Sequence, residues 1–469
     1  MSSQTDPTSA ETDLSVDADL LDDVVARLRT LPVDDPVRLR AEHVAESFAR
    51  EGRLRRRRDR RADDRRADRA ALASTATGGT DRRQDAPLDA DGAAGSLIRS
   101  RRCYVCKEPY RELDAFYHQL CPPCARLNRE RRNARTDLHG RRALVTGGRV
   151  KIGFQLALMM LRDGAEVLVT TRFPADTLRR FRAAPWSGEW LDRLTVVAVD
   201  LRDPRQVLAL CDELSAGEPL DILVNNAAQT LRRPPESYAA LVDGERDAVA
   251  GRVVRAPGFS TLAAIGTGPG ARLTASGSTD RPHPAASLAE ASATPSGTLD
   301  EAGLLPDLAP TNSWTAGLGG LDPSEVLEVQ LVNAVAPALL CDRLLPSLLA
   351  GRSERRYVVN VTAVEGRFDV RNKTARHPHT NMAKAALNML TRTSGPGLAE
   401  RGVYMTAVDT GWITDENPVP ARERFADRGF RTPLDVIDGA ARVYDPIVRG
   451  EAGELLAGVF LKDYKEASW

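Results

Sequence analysis

Six short apolar runs, separated by stretches of helical character, constrain this chain more than any other feature. They are "RRALVT" from Arg141, "EVLVTTR" from Glu166, "LTVVAVD" from Leu194, "LDILVNN" from Leu220, "RYVVNVTA" from Arg356 and "VYMTAVDTG" from Val403. Short β-branched runs without polar alternation read as strands buried on both faces. Between them "IGFQLALMMLRDG" reads as a helix that Gly164 stops, and further helices are expected at about Pro204 to Leu214, Pro323 to Leu349 and Thr380 to Arg401. Strands alternating with helices imply an α/β domain over 137–469, a doubly wound parallel sheet covered on both faces.

The rest of the 469 residues lies outside that rhythm. A 42% hydrophobic content supports one large core, whereas 5% aromatic and 28% charged residues suggest that part of the chain is unpacked. The formal charge of +0 hides segregation: "ETDLSVDADLLDD" is acidic, and "RLRRRRDRRADDRRADR" carries ten arginines against four aspartates. Residues 1–100 therefore read as a mostly disordered charged arm, with a possible helical piece in "PVRLRAEHVAESFAREGRLRRRR" from Pro36. Its interleaved aspartates and lack of aromatics favour a solvated arm over a nucleic-acid contact. A second irregular stretch, at about 244–308, is rich in Gly, Ala, Ser, Thr and Pro and reads as a disordered insertion. With neither a leader-like N-terminus nor a long uninterrupted apolar run, a cytoplasmic protein without a membrane segment is expected.

In "CYVCKEPYRELDAFYHQLCPPC" two CxxC turns, Cys103 with Cys106 and Cys121 with Cys124, lie fourteen residues apart. Each turn can aim two thiolates at one ion, and four thiolates close a tetrahedron around Zn²⁺. Reduced cytoplasmic thiols and the doubling of the motif argue against a disulfide or a redox pair, so 101–136 is read as a structural zinc module, with His118 a spare ligand. The basic "ARLNRERRNAR" after it reads as a solvated helix leading onward, and the module as a site for a protein partner.

"LVTGGRVKIGFQLA" places Gly147, Gly148 and Gly153 where the first strand of the sheet meets its first helix. Such a turn lets backbone approach a pyrophosphate, and the helix N-terminus offers free amides. From Leu138 onward the chain resembles the short-chain dehydrogenase/reductase family, with its Rossmann-type sheet. Thr146 to Gly153 is similar to TGxxxGxG with Lys151 in place of the middle glycine, and "NNAA" at 225–228 is similar to NNAG. Asp200 stands where the family contacts adenine, Asn333 where it has its structural asparagine, and Lys384 at the lysine of YxxxK. "DTGWITD" resembles the PGxxxT segment beside the nicotinamide, with Thr410 replacing proline. The resemblance implies a cofactor site of Thr146, Gly147, Arg149, Lys151, Ile152, Gly153, Arg172, Asp200, Leu201, Asn226, Ala227, Lys384 and Gly411. The second strand ends in Arg172 where an NAD site would carry an acid, and Arg149 and Lys151 add positive charge, which favours NADP(H) over NAD(H). Only six lysines occur among 65 basic residues, so lysine at both motif positions is informative.

The family transfers hydride while a tyrosine phenol, tuned by the lysine, handles the proton and a serine orients the substrate oxygen. Here Thr380 occupies the tyrosine position and Ala363 the serine position, with Thr362 beside it. An aliphatic hydroxyl is far too weak an acid to replace a phenol, and general acid catalysis contributes roughly 10²- to 10⁴-fold. Two readings stay open. One is an oxidoreductase acting on an unknown carbonyl or alcohol, with Lys384, Asn333, Thr380 and Thr362 in its catalytic half and Thr362 or His379 meeting the substrate oxygen. The other is a non-catalytic cofactor sensor or scaffold. A homodimer or homotetramer is expected from the resemblance.

Overall fold

The computed structural model describes residues 17–80, 82, 86–89, 92–266, 299–370 and 373–469. The acidic extreme N-terminus, 1–16, and the centre of the insertion, 267–298, lie outside the described residues. Two compact units result, 1–68 and 69–469.

The first unit corrects the expectation of a disordered arm. Helix α1 spans Ala18–Thr30, capped by the Asp17 carboxylate, and α2 begins at Pro36, runs through the unit and ends at Ala73 in the second one. Neither helix buries a residue. Their order comes from local terms that composition concealed: Arg, Ala and Glu are strong helix formers, Asp35 accepts the Val37 amide ahead of the first turn, and Arg38 pairs with Glu42 one turn on at 3.0 Å.

The second unit opens with the cysteine module. Strands β1 (Gly95–Arg102) and β2 (Pro109–Leu113) pair antiparallel, and α3 follows at Pro122–Arg132. The module therefore starts earlier than 101. Leu72, Ala76, Thr77 and Leu88 also belong to it, because Thr77 donates its amide to Phe116 and the other three pack on its core.

The large sheet takes β3 (Arg142–Val145), β4 (Glu166–Thr171), β5 (Leu194–Ala198), β6 (Ile222–Asn225), β7 (Arg252–Arg255), β8 (Arg356–Thr362), β9 (Val403–Asp409), β10 (Val459–Lys462) and β11 (Lys465–Ala467). Their order is β11-β10-β9-β8-β6-β3-β4-β5-β7, parallel throughout except for the β10–β11 edge. The covering helices are α4 (Lys151–Arg162), α5 (Pro174–Ala183), α6 (Pro204–Ala216), α7 (Ala239–Gly244), α8 (Thr261–Gly266), α9 (Pro323–Gln330), α10 (Ala336–Arg343), α11 (Leu345–Leu349), α12 (Pro378–Ala399), α13 (Val419–Asp427) and α14 (Val436–Glu451). Two apolar clusters fill the sheet's faces, one between it and α4 and α14, the other beneath α6, α10 and α11. The two expected starts at Pro204 and Pro323 are those of α6 and α9, where Asp203 and Asp322 cap the helix with proline in the first turn. The sheet reverses its order between β3 and β6, and there a doubly wound fold opens a crevice.

The insertion is corrected too. Residues 252–255 form β7, which pairs parallel with β5 from Thr195↔Arg252 to Ala198↔Arg255 and extends the sheet edge. The run "RVVR" is too short, and its flanks too rich in small residues, to announce a strand. Tertiary pairing with an existing edge decides it. The span Pro323–Arg343 is the one described helix long and apolar enough to cross a bilayer, and 56% of its apolar window is buried inside the fold.

Candidate active site

The turn after β3 is built so that backbone can approach a ligand. Gly147 has φ +69°, and a Cβ on it would stand 2.9 Å from the Ala227 Cα. The Thr146 hydroxyl accepts the amides of Asn226 and Ala227, both at 3.0 Å, and the Asn226 side chain donates to the carbonyls of Thr146 at 2.9 Å and Gly147 at 3.2 Å. The loop is thereby stitched to the end of β6. Lys151 takes the place of a glycine and keeps the glycine-like φ of +54°, a strained setting for a side chain, with its Nζ 3.8 Å from Glu416.

This turn floors a cleft of about 1050 Å³ at the carboxyl ends of the strands. Gly147, Arg149, Lys151, Ile152, Gly153, Arg172, Asp200, Leu201, Asn226 and Ala227 all line it. Of the expected cofactor residues, Thr146, Lys384 and Gly411 do not. Thr146 is buried beneath the turn, and Gly411 sits behind it against Leu434 and Tyr104.

Charge gathers at the β4–β5 end of the cleft. Arg149 is paired with Asp176 at 2.7 Å, and burial draws its guanidinium pKa below the usual range while Asp176 opposes the shift. Arg172 donates to the Ala264 carbonyl at 3.3 Å and the Tyr238 hydroxyl at 3.5 Å and lies over the Phe173 and Tyr238 rings at 5.7 and 5.3 Å, with no carboxylate partner among the described residues. Sequence reasoning missed Arg202. Its buried guanidinium grips Asp200, with the closest contact 2.8 Å, reaches Glu328 at 3.4 Å and also donates to the Ala264 carbonyl. The only available signal was its place two residues after Asp200, which an arginine-rich chain makes uninformative. Three guanidiniums thus line one end of the cleft, and two of them, Arg172 and Arg202, donate to the Ala264 carbonyl of α8, from the insertion.

A family model described as short chain dehydrogenase matches residues 141–243, the segment that carries the turn, Arg172, Asp200 and Asn226. The chain belongs to the short-chain dehydrogenase/reductase family. Uncharacterized protein R665 of Acanthamoeba polyphaga mimivirus is 32% identical over 367 residues, spanning 74% of this chain and 71% of that protein. The short-chain dehydrogenase/reductase pyiH of Pyricularia grisea is 35% identical over 103 residues, covering 21% of this chain and 41% of that one. A solved short chain dehydrogenase from Burkholderia cenocepacia in complex with NADP is 21% identical, with a TM-score of 0.44 over 70% of this chain and 97% of that one.

The other half of this family member's site is sealed. Lys384 is buried, its Nζ donates to the Val361 carbonyl at 2.8 Å, and burial pulls its pKa from 10.5 down to about 8, with Glu365 opposing the shift. Thr380 is 4% exposed and its hydroxyl has no hydrogen-bond partner among the described residues; the same holds for both ring nitrogens of His379, which is 0% exposed. Burial lowers the His379 pKa, so the ring is neutral near pH 7. The Thr362 hydroxyl donates to the Lys384 carbonyl at 3.4 Å. Neither Lys384, Thr380, Thr362 nor His379 lines the cleft. Asn333 lies in a one-residue widening of the helix at Leu331–Val335 and exchanges two hydrogen bonds with the Gln229 backbone, at 2.7 and 2.9 Å. It therefore sets the position of Gln229, which does line the cleft. Trp314, also missed, stacks on His377 at 4.0 Å between ring centroids and covers the start of α12, where His377 has φ +38°.

The four cysteines form a second site. One sulfur from each lies within 4.8 Å of all the others, and the Cys106 and Cys121 sulfurs are 3.6 Å apart. His118 is turned away, bonded to the Thr77 hydroxyl at 2.8 Å. Four thiols at this spacing suit a closed tetrahedral site for a soft divalent ion.

The module is no free knuckle. Its core continues into Ile413, Leu434, Val436 and Ile152 of the dehydrogenase domain. The expectation of a solvated basic helix is also corrected, because α3 docks on α14. Arg131 meets Asp445 at 3.0 Å, Arg132 grips Asp435 and Asp438, and Asn128 accepts from fully buried Arg442 at 2.8 Å. Arginines on this helix are matched to buried carboxylates, a pairing that sequence spacing cannot reveal.

Proposed function

We propose that this protein binds NADP(H) in the β3–β4–β5 cleft and acts as an oxidoreductase on a carbonyl or alcohol carbon. The observation that carries the cofactor reading is the convergence of Arg149, Arg172 and Arg202 where an NAD site would hold a carboxylate. Arg172, with no carboxylate partner among the described residues, suits a 2′-phosphate, and the glycine turn and the α4 N-terminus suit the pyrophosphate. When bound, the nicotinamide supplies or accepts the hydride; the chain's part is to bind, orient and manage the proton. Lys384, with a pKa of about 8, titrates near working pH as the Thr380 hydroxyl does not, but it too stands outside the cleft, on the Val361 carbonyl. The burial of Thr380 and His379 away from the cleft favours a second reading, cofactor sensing without turnover.

Titrating NADPH and NADH by fluorescence tests the first point. NADPH is expected to bind more tightly, and Arg172→Asp should weaken NADPH about 10- to 100-fold while leaving NADH nearly unchanged, since one charge-assisted bond is lost and a repulsion gained. Equal affinities in the unaltered protein would refute the NADP(H) assignment. Carbonyl-dependent NADPH oxidation separates the two readings: turnover that appears only in Ala363→Ser/Thr380→Tyr selects the sensor.

The four cysteines are proposed to hold one structural Zn²⁺. Metal analysis should find about one ion per chain, and Cys103→Ser should lose it. Stoichiometric metal retained by that variant would count against the site.

A further inference from the structure

The cysteine turn and the cleft share a loop. Tyr104 lies between Cys103 and Cys106, and its own amide is fixed on the Gln119 carbonyl at 2.8 Å. Its phenolic oxygen accepts the Trp412 amide at 3.0 Å. That amide belongs to the loop leaving β9, where Gly411 has φ +80° and a Cβ would stand 3.5 Å from the same phenolic oxygen and 2.6 Å from Leu434. Lys462 lies over the Tyr104 ring at 5.7 Å and holds Asp409, whose carboxylate accepts the Gly411 amide at 2.8 Å. The next residue, Ile413, packs in one cluster with Cys103, Cys121 and Ile152. Both ends of this support reach the cleft. Ile152 lines it from the first turn of α4, and the same loop continues to Glu416, which lines it opposite Lys151.

We propose that metal binding by the four cysteines is coupled to cofactor binding, with Tyr104 as the positioning residue that transmits it. A loaded first turn holds the tyrosine, the tyrosine holds the Trp412 amide, and the loop and Ile152 keep the cleft wall in its binding shape. Emptying the metal site frees the turn on which Tyr104 stands. Such coupling is reciprocal by thermodynamic necessity, so NADP(H) must tighten metal retention by the factor by which metal tightens NADP(H). The inference rests on the cofactor reading above, and its test separates the two.

The full chain, zinc-loaded, is titrated with NADPH, and zinc transfer to a chromophoric chelator is followed with and without saturating NADPH. In the unaltered protein, NADPH should lower the fraction of zinc transferred at equilibrium, corresponding to about 5- to 20-fold tighter retention. Tyr104→Phe keeps the ring and its packing but removes the acceptor. It should keep one zinc per chain, bind NADPH about 5- to 10-fold more weakly, and lose most of the NADPH effect on zinc. NADPH binding that is indifferent to Tyr104→Phe overturns the coupling alone. A weakened Tyr104→Phe together with zinc retention blind to NADPH in the unaltered protein also overturns it, since the tyrosine is then mere support. No NADPH binding by the unaltered protein defeats the cofactor reading and the coupling together.

Discussion

Gly153→Ala should abolish measurable NADPH binding, a loss of at least about 100-fold, and destabilise the domain by roughly 1–3 kcal/mol. A Cβ at Gly153 would stand 2.2 Å from the Gly147 carbonyl oxygen and 2.5 Å from the Asn226 side-chain nitrogen. Neither neighbour can yield cheaply. The carbonyl belongs to a turn whose residue already sits at φ +69°, and the amide nitrogen holds that turn through two hydrogen bonds. The methyl must push the turn outward, out of the line on which backbone amides meet a pyrophosphate, and most of the loss should therefore appear in binding. Gly188→Ala is the matched control, because nothing lies within 4 Å of a Cβ there. NADPH affinity of Gly153→Ala within twofold of the unaltered protein, with Gly188→Ala also silent, would show that the turn does not carry the cofactor.

Much of the fold was legible in the sequence. The sheet was, because β-branched runs buried on both faces leave no alternative to a parallel layered fold, and caps such as Asp203 and Asp322 mark helix starts directly. So was the glycine turn, whose constraints are local. The residues missed act through pairings between distant segments. Arg202 matters because it sits between Asp200 and Glu328, and Arg442 because Asn128, more than three hundred residues earlier, accepts from it. Strand β7 exists because β5 offered an edge, and α3 is docked because α14 presents Asp435, Asp438 and Asp445. In an arginine-rich chain each of these arginines reads as surface charge until its partner is known. In the arm the start of α2 at Pro36 was legible, whereas α1 and the second half of α2 were missed because charge was read as disorder although Arg, Ala and Glu favour helix without any burial.

Lys384→Met is expected to stabilise the protein near neutral pH. Burial has pulled the lysine from 10.5 to about 8, so the folded state holds its proton less tightly than the unfolded chain. Below pH 8 both states are protonated and the penalty is complete; as pH rises from about 8 to 10.5 the unfolded chain binds the extra proton and stability increases. The shift corresponds to about 3 kcal/mol, from which the lost hydrogen bond to Val361, about 1 kcal/mol, must be subtracted. The variant should therefore gain about 2 kcal/mol at pH 7, read as a higher urea midpoint, and the gain should vanish towards pH 10.5 and turn into a small loss. A gain that does not change with pH, or a loss at pH 7, would mean that the buried ammonium is better compensated than Val361 and Glu365 alone provide. A lysine in a chain that otherwise uses arginine thus stands where its charge costs free energy, held by one carbonyl and outside the cleft, so its contribution to stability is the part of the site that a pH series reads directly.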